Sequence, residues 1–596
     1  MRPGINLRRR NVLQASVAGA ATLGLSSLFP AWAQTGSPGV APVLSGADIR
    51  LKVGHSMFSV GGRQGHAITI NGVLPAPLIR LKEGQTVRLH VENTLDEDTS
   101  IHWHGLILPF HMDGVPGISF PGIFPGQTFT YEFPVKQSGT YWYHSHSGLQ
   151  EQMGHYGPLV IDPAGAEPAP YDREHVIVLS DWTFNHPHQL LDKAKKEGGY
   201  FNRQKQALFG RGTENGMAPA ERVAWGRMRM DPTDIADMTA RTYSYLVNGH
   251  GTAENWTGLF RPGERVRLRI INASAMSIFN VRIPGLPMTI VAADGNPVRP
   301  VETDEFQISV AETYDAIVTP REDRAFALVA ESIDRSGLVR ATLAPRPGMV
   351  AALPLLRPRP TLSMRDMGMG GMDHGAMGHG PAAADAACPP EHAAMGHCTP
   401  GAPAAPMKHV MRDESLVPPT VKVGVGVDMI AAMPVDRTGD RPLGLESEPH
   451  RVLTYHDLAP LVPFHDTRAP TRSVDIHLTG NMERFMWGFD GRKLNEGLEP
   501  IRFERNERVR VNLINNSMMN HPIHIHGHFF ELVTGKDHGH PVKHTVNVMP
   551  GGKASFDLTA DAPGDWAFHC HLLYHMHAGM MNIVKVRPMD APGEKG

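Results

Sequence analysis

Three stretches of the chain share one pattern of apolar and polar positions. Gly84-Gln85-Thr86-Val87-Arg88-Leu89-His90-Val91-Glu92-Asn93, Gly263-Glu264-Arg265-Val266-Arg267-Leu268-Arg269-Ile270-Ile271-Asn272 and Asn506-Glu507-Arg508-Val509-Arg510-Val511-Asn512-Leu513-Ile514-Asn515 each end on asparagine. Valine and asparagine are six residues apart each time (87 to 93, 266 to 272, 509 to 515). Alternation of this kind marks a half-buried strand that ends at a turn. Its recurrence means one structural unit used three times. With 61 Gly and 50 Pro breaking the chain into short runs, the pattern predicts an all-β protein of sandwich or barrel domains. The three units are expected at residues 45–165, 166–345 and 446–590. Residues 346–445 read as a linker. Within it, 364–411 carry Met364, Met367, Met369, Met372, Met377, Met395, Met407 and Met411 among Gly, Ala, Pro and His. That composition buries little surface, so a mobile insert is expected there.

Length agrees with several domains, since 596 residues exceed what one core organises. A hydrophobic content of 41%, a charged content of 20% and a net charge of -3 suit a globular protein and give no case for binding nucleic acid. The unusual counts are 33 His and 30 Met against 3 Cys. Imidazole and thioether are copper ligands. At the N-terminus, Arg8-Arg9-Arg10 precede a mildly apolar stretch from Ala15 to Leu28, and Ala31-Trp32-Ala33 offers a cleavage site. Residues 1–33 are read as a twin-arginine-type signal peptide, with an ordinary secretory signal or an uncleaved anchor as the alternative. No later run reaches the length of about 20 apolar residues that spans a bilayer. A periplasmic location is therefore expected.

The histidines fall at matched places in the first and third units. Nine and eleven residues past Asn93 lie His102 and His104, and past Asn515 lie His524 and His526; past Asn272 lie Val281 and Ile283. Residues i and i+2 of a strand face one side, so each pair presents two imidazoles together. Near the end of each outer unit, Gly139 leads to His144-Ser145-His146 and Gly564 to His569-Cys570-His571, five residues from Gly to the first His in both. The segment Phe326 to Glu331 of the middle unit has neither His nor Cys. Four pairs make eight imidazoles, enough for three metal ions held by two, three and three. The first and third units are expected to meet, with the middle one as spacer.

In the His-Cys-His triplet, Cys570 must face away from His569 and His571. Its own unit offers His521, His575 and Met580. Two His, one Cys and a weak axial Met form a blue-copper electron-transfer set. Zinc is the rival for Cys and His together, but the axial thioether and the neighbouring imidazoles argue for copper. The first unit has Thr99, Ser145 and Gln150 at the places of His521, Cys570 and His575, and should lack such a site.

These motifs, His102-Trp103-His104-Gly105, His144-Ser145-His146, His521-Pro522-Ile523-His524-Ile525-His526 and His569-Cys570-His571 through His575 to Met580, resemble those of the multicopper oxidases. That family includes laccases, ascorbate oxidase and bacterial copper-resistance oxidases. The export signal and the Met-rich insert are most similar to the copper-resistance protein A type. The resemblance implies three cupredoxin-like Greek-key β-sandwich domains and four copper ions. It implies a type 1 copper on His521, Cys570, His575 and Met580, and a type 2 copper on His102 and His524. The type 3 pair would take His104, His144, His146, His526, His569 and His571. Asp113, in Met112-Asp113-Gly114, is similar to an acidic residue near the trinuclear site of relatives and is read as a proton relay; the alternative is a turn-forming Asp before Gly. Where some relatives carry an acid between His571 and His575, this chain has Tyr574, which leaves a second proton route open.

Dioxygen is the expected oxidant. Cuprous ion is the leading donor, with Met367, Met369, Met372 and His374 as an extra copper site, and Met518, Met519, Met576 and Met581 close in sequence to the type 1 ligands. The alternatives are a laccase-like oxidase of phenols or aromatic amines, and a periplasmic copper-sequestering protein. A two-domain nitrite reductase fits the paired histidines poorly. Cys388 and Cys398 enclose His392, Met395 and His397 and would form either a disulfide or a copper site. An outer-membrane copper-resistance partner is left open by the sequence.

Overall fold

The computed structural model describes residues 42–202, 230–369, 411–536 and 539–589, with 223, 225 and 226 between the first two spans. The signal segment, Met372, His374, Cys388 and Cys398 lie outside the described residues. Strands group into six sheets, two to each repeated unit. In the first unit, Arg63–Ile70, Asp48–Val60, Thr86–Asn93 and Thr128–Pro134 form one sheet in that order. Val43–Ser45, Leu78–Lys82, Tyr156–Asp162, Gly139–His144 and His102–His104 form the other. The middle and third units each pair a six-stranded with a five-stranded sheet. Neighbouring strands are often far apart in sequence, the Greek-key arrangement, and the inward residues of facing sheets fuse into one core.

The repeated strand occupies an inner position every time. Thr86–Asn93, Val266–Asn272 and Arg508–Asn516 each run parallel to an earlier strand of their unit and antiparallel to a later one. The terminal asparagines explain why the pattern ends as it does. Asn93 Nδ2 donates to the carbonyls of Glu97 and Ile123, and Asn93 Oδ1 accepts from Leu95 N–H. Asn272 does the same with Ser277, Ile308 and Ser274, and Asn515 with Met519, Val548 and Ser517. All three are fully buried, so each amide ties a corner whose backbone groups would otherwise go unpaired. That corner launches the strand nine residues on.

Those strands pair in one register. His102 stands opposite His144 and His524 opposite His569, whereas the middle unit puts Val281 opposite Ala330. The same scaffold position carries imidazole pairs outside and an apolar pair in the middle. Buried polar contacts tie the middle unit to both neighbours. Arg269 reaches Glu174 and Asp315 and donates to Thr140 of the first unit at 2.9 Å. Lys543 of the third unit lies 3.0 Å from Asp294 and 3.1 Å from Glu312.

One expectation needs correction. The insert does not begin at 364: residues 365–367 form a turn whose Asp366 accepts from Ser363 N–H at 2.7 Å and pairs with Arg437 at 2.6 Å. Met369 bridges to Met433. Met367 is 1% and Met369 6% exposed, so these two thioethers are core side chains and not part of a mobile ligand surface. Met518 and Met519 are buried as well, while Met576 and Met581 are half-buried.

Candidate metal centre

The eight histidines converge where the first and third units meet. His102 lies over His526 with ring centroids 3.8 Å apart, and His104 stacks on His524 at 3.9 Å. Ring nitrogens close into three groups, each within 4.8 Å: His102 with His104 and His524, His104 with His144 and His571, and His146 with His526 and His569. His104 belongs to two of them. Three outward nitrogens are occupied. Nδ1 of His102 bonds the carbonyl of Asp113 at 2.8 Å, that of His524 the carbonyl of His544 at 2.7 Å, and that of His144 a Glu151 oxygen at 2.7 Å. A bond at Nδ1 puts the ring proton there and leaves the lone pair on Nε2. Nε2 of His102, His104, His144, His146, His524 and His571 is buried with no hydrogen-bond partner. Six orphaned acceptors would cost about 1–3 kcal/mol each, a cost that coordinated metal removes. Burial first, and neighbouring imidazoles second, hold His104, His144, His146, His524, His526 and His571 well below the usual histidine range. Neutral imidazole is the form that ligates.

Cys570 points to the other side of its strand. Its Sγ is 3.5 Å from His521 Nδ1 and 3.9 Å from His575 Nδ1, and the two Nδ1 atoms are 3.3 Å apart. Here the polarity is reversed: Nε2 is tied, to Ser517 Oγ at 2.7 Å in His521 and to Asp237 at 2.7 Å in His575, and Nδ1 faces the thiol. Met580 is fully buried beside them, its carbonyl accepting from Cys570 N–H. Burial pushes the Cys570 thiol far above its usual range, so the thiolate needs a coordinated cation. The donor set thus fits a soft metal. The same four positions converge in the first unit without one. Gln150 Oε1 accepts from Thr99 at 2.7 Å and from Ser145 at 2.9 Å, and His155, at the place of Met580, lies 3.4 Å from Thr99.

Family profiles described as multicopper oxidase match residues 52–166, 173–347 and 467–590. The chain belongs to the multicopper oxidase family. Among relatives of this multicopper oxidase, a copper resistance protein A homolog of Pseudomonas syringae pv. tomato is 47% identical, covering 94% of this chain and 95% of that one. Copper resistance protein A of Escherichia coli is 46% identical over 92% of this chain and 94% of its own. Among solved structures, Fet3p, a multicopper oxidase that functions in iron import, matches with TM-score 0.62 at 20% identity, covering 91% of this chain and 90% of that one. A laccase from B. aclada matches at 0.60 and 22%, covering 92% and 88%. These likenesses establish the fold as that of multicopper oxidases.

Three carboxylates flank these histidine and cysteine groups. Asp113 is 1% exposed, with Oδ2 2.8 Å from His526 Nδ1 and Oδ1 3.2 Å from His102 Nδ1. It thereby joins histidines of the first and third units. The turn requirement falls on its neighbour: Gly114 has φ +80°, and a Cβ there would overlap the carbonyl of Ile101. Glu151, missed in the sequence, holds His144 while its other oxygen has no partner. Burial, with Asp181 adding, raises it well above the usual carboxylate range. Asp237 comes from the middle unit, which is therefore more than a spacer. Tyr574 is buried and donates to Gln152 at 3.3 Å.

Proposed function

We propose that this chain couples one-electron oxidation of cuprous ion, as a step in copper resistance, to four-electron reduction of dioxygen to water. One juxtaposition supports the coupling above all others. The Cys570 thiol faces His521 and His575, while its covalent neighbours His569 and His571 point into the eight-imidazole cluster. Copper bound at these places would supply single-electron uptake at the first site and dioxygen reduction at the second. In this reading His521, Cys570, His575 and Met580 hold the type 1 ion, and His102 with His524 the type 2 ion. His104, His144 and His571 hold one type 3 ion, and His146, His526 and His569 the other. The cuprous donor is supported by the names of the relatives that are 46–47% identical.

The chain's own groups do the rest. The peptide backbone on either side of Cys570 gives a short covalent route for the electron. Asp113 orients His102 and His526 and sits where a proton can be passed inward, and Glu151 keeps His144 in its ligating tautomer. The twin-arginine segment and a periplasmic site of action belong to the same reading; among the described residues no helix is long and apolar enough to cross a membrane.

Two variants probe the electron-entry site. Replacing the Asp237 carboxyl that His575 Nε2 bonds at 2.7 Å with an amide in Asp237→Asn leaves His575 a weaker donor, so the type 1 potential rises. Met580→Leu removes the axial thioether and has the same sign. Redox titration of the blue absorption checks both, and an unchanged or lower potential in either refutes that residue's part. The donor itself is tested by oxygen uptake of the copper-loaded protein with cuprous ion and with a phenol. Faster uptake with cuprous ion is expected, with a selective loss when residues 370–410 are deleted. Uptake mainly with the phenol would make this a laccase-like enzyme, and four bound coppers without uptake from either would make it a sequestering protein.

A further inference from the structure

A pair of surface histidines lies outside every group described so far. His55 and His66 stand on the adjacent strands Asp48–Val60 and Arg63–Ile70, and both are exposed. The register sets Met57 opposite His66 and Ile68 opposite His55, so the two imidazoles approach diagonally at the exposed end of the face that carries the buried Val53 and Ile70. His66 Nε2 is 2.9 Å from His55 Nδ1, with ring centroids 4.8 Å apart. On the far side of the His55 ring, Nε2 is 3.3 Å from Asp96 Oδ1.

The carboxylate fixes the tautomers. Asp96 accepts from His55 Nε2–H, which leaves the His55 lone pair on Nδ1; the proton shared with His66 then belongs to His66 Nε2, and an ion bound between the rings requires that proton to move to His66 Nδ1, freeing the Nε2 lone pair. A carboxylate on the outer nitrogen and a lone pair on the inner one is the arrangement of a metal-binding histidine. An exposed hydrogen bond between two imidazoles adds little to stability, because water serves both nitrogens as well. The orientation is thus poorly explained by folding alone. Partial burial, with the imidazoles of His55 and His186 nearby, holds His66 below the usual histidine range, so its ring is neutral near pH 7.

The two nitrogens are close enough to meet one ion at bonds of about 2.0 Å. Among divalent ions, cupric ion stands highest in the affinity order of such nitrogen sites. Both rings are exposed, so a small turn of each aims the two lone pairs at one ion without displacing packed side chains. Met57, 61% exposed, follows His55 on the same strand face and offers a weak thioether nearby.

We propose that His55 and His66 bind one cupric ion on the first domain, with Asp96 orienting His55, separate from the ligands of the oxidase centre. Cupric ion is also the product of cuprous oxidation; only that connection rests on the proposed function. The site lies toward a run of exposed imidazoles in which His186 stacks on His188 at 5.4 Å and His188 lies 6.0 Å from His577, two residues past His575.

The test uses the mature copper-loaded full chain, titrated with cupric ion against glycine and followed by bound copper per chain and electron paramagnetic resonance. Wild type should bind one more cupric ion than His66→Gln or His55→Gln, with a tetragonal signal coupled to two nitrogens. Asp96→Asn should weaken that ion about 10–100-fold. The blue absorption and turnover with a phenol should stay at the wild-type level in all three, which certifies the fold. Equal copper and identical spectra in wild type and His66→Gln would overturn the proposal, as would displacement of the extra ion by equimolar zinc. Because the readout is metal bound and not metal oxidised, a failed cuprous assay leaves this result intact.

Discussion

Cys570→Ser should erase the blue absorption and lower turnover by at least a thousandfold, about 4 kcal/mol on the barrier. The hydroxyl is a hard donor and binds cuprous ion poorly, and the sulfur that in the proposed electron path links His521 and His575 to the flanking imidazoles is lost. The fold should survive. The first domain already carries Ser145 at the matching place, hydrogen-bonded to Gln150 at 2.9 Å, so the scaffold accepts a hydroxyl there. His569 and His571 keep their positions because the strand Gly564–Cys570 is held by its ladder with Met581–Arg587. Copper analysis should find one ion fewer per chain, with the trinuclear set retained. A variant that keeps the blue band, or most of its rate, would remove Cys570 from the electron path.

The repeat shows how much of this was readable beforehand. Counting from Asn93 and Asn515 located the paired histidines because the asparagine corner fixes where the next strand starts, and a strand's period of two fixes which side chains share a face. That Thr99, Ser145 and Gln150 meet where the third domain has His521, Cys570 and His575 was legible for the same reason. Asp237 and Glu151 were not legible. Each acts across a long sequence separation, 338 residues from Asp237 to His575, and neither sits in a motif or a matched repeat position. Glu151 had a faint signal, an acid in an otherwise uncharged stretch after His146, but the register that aims it at His144 exists only in the fold. Met367 and Met369 misled for the converse reason. Composition placed them with the Met-rich tract, while one buried ion pair ties that stretch to Arg437, which also donates to the Pro550 carbonyl of the third domain.

Asp113→Asn should lower the rate of dioxygen reduction about 10–100-fold while leaving the blue band and its reduction by donor intact, the usual scale for losing an orienting group behind a metal ligand. The carboxylate accepts from His526 Nδ1 at 2.8 Å and lies 3.2 Å from His102 Nδ1. An amide keeps one acceptor oxygen but turns an N–H donor toward the other ring, setting donor against donor at a site that is 1% exposed. It also removes a charge that can take up and release a proton. Turn formation does not need the charge, since the left-handed backbone is supplied by Gly114, and asparagine serves the turn as well as aspartate. The variant therefore separates the two readings of this residue. Anaerobic mixing with donor measures the first half-reaction, and mixing the reduced protein with dioxygen measures the second. A slow second half-reaction beside a normal first one assigns Asp113 to the trinuclear chemistry; wild-type rates in both would reduce it to a turn residue.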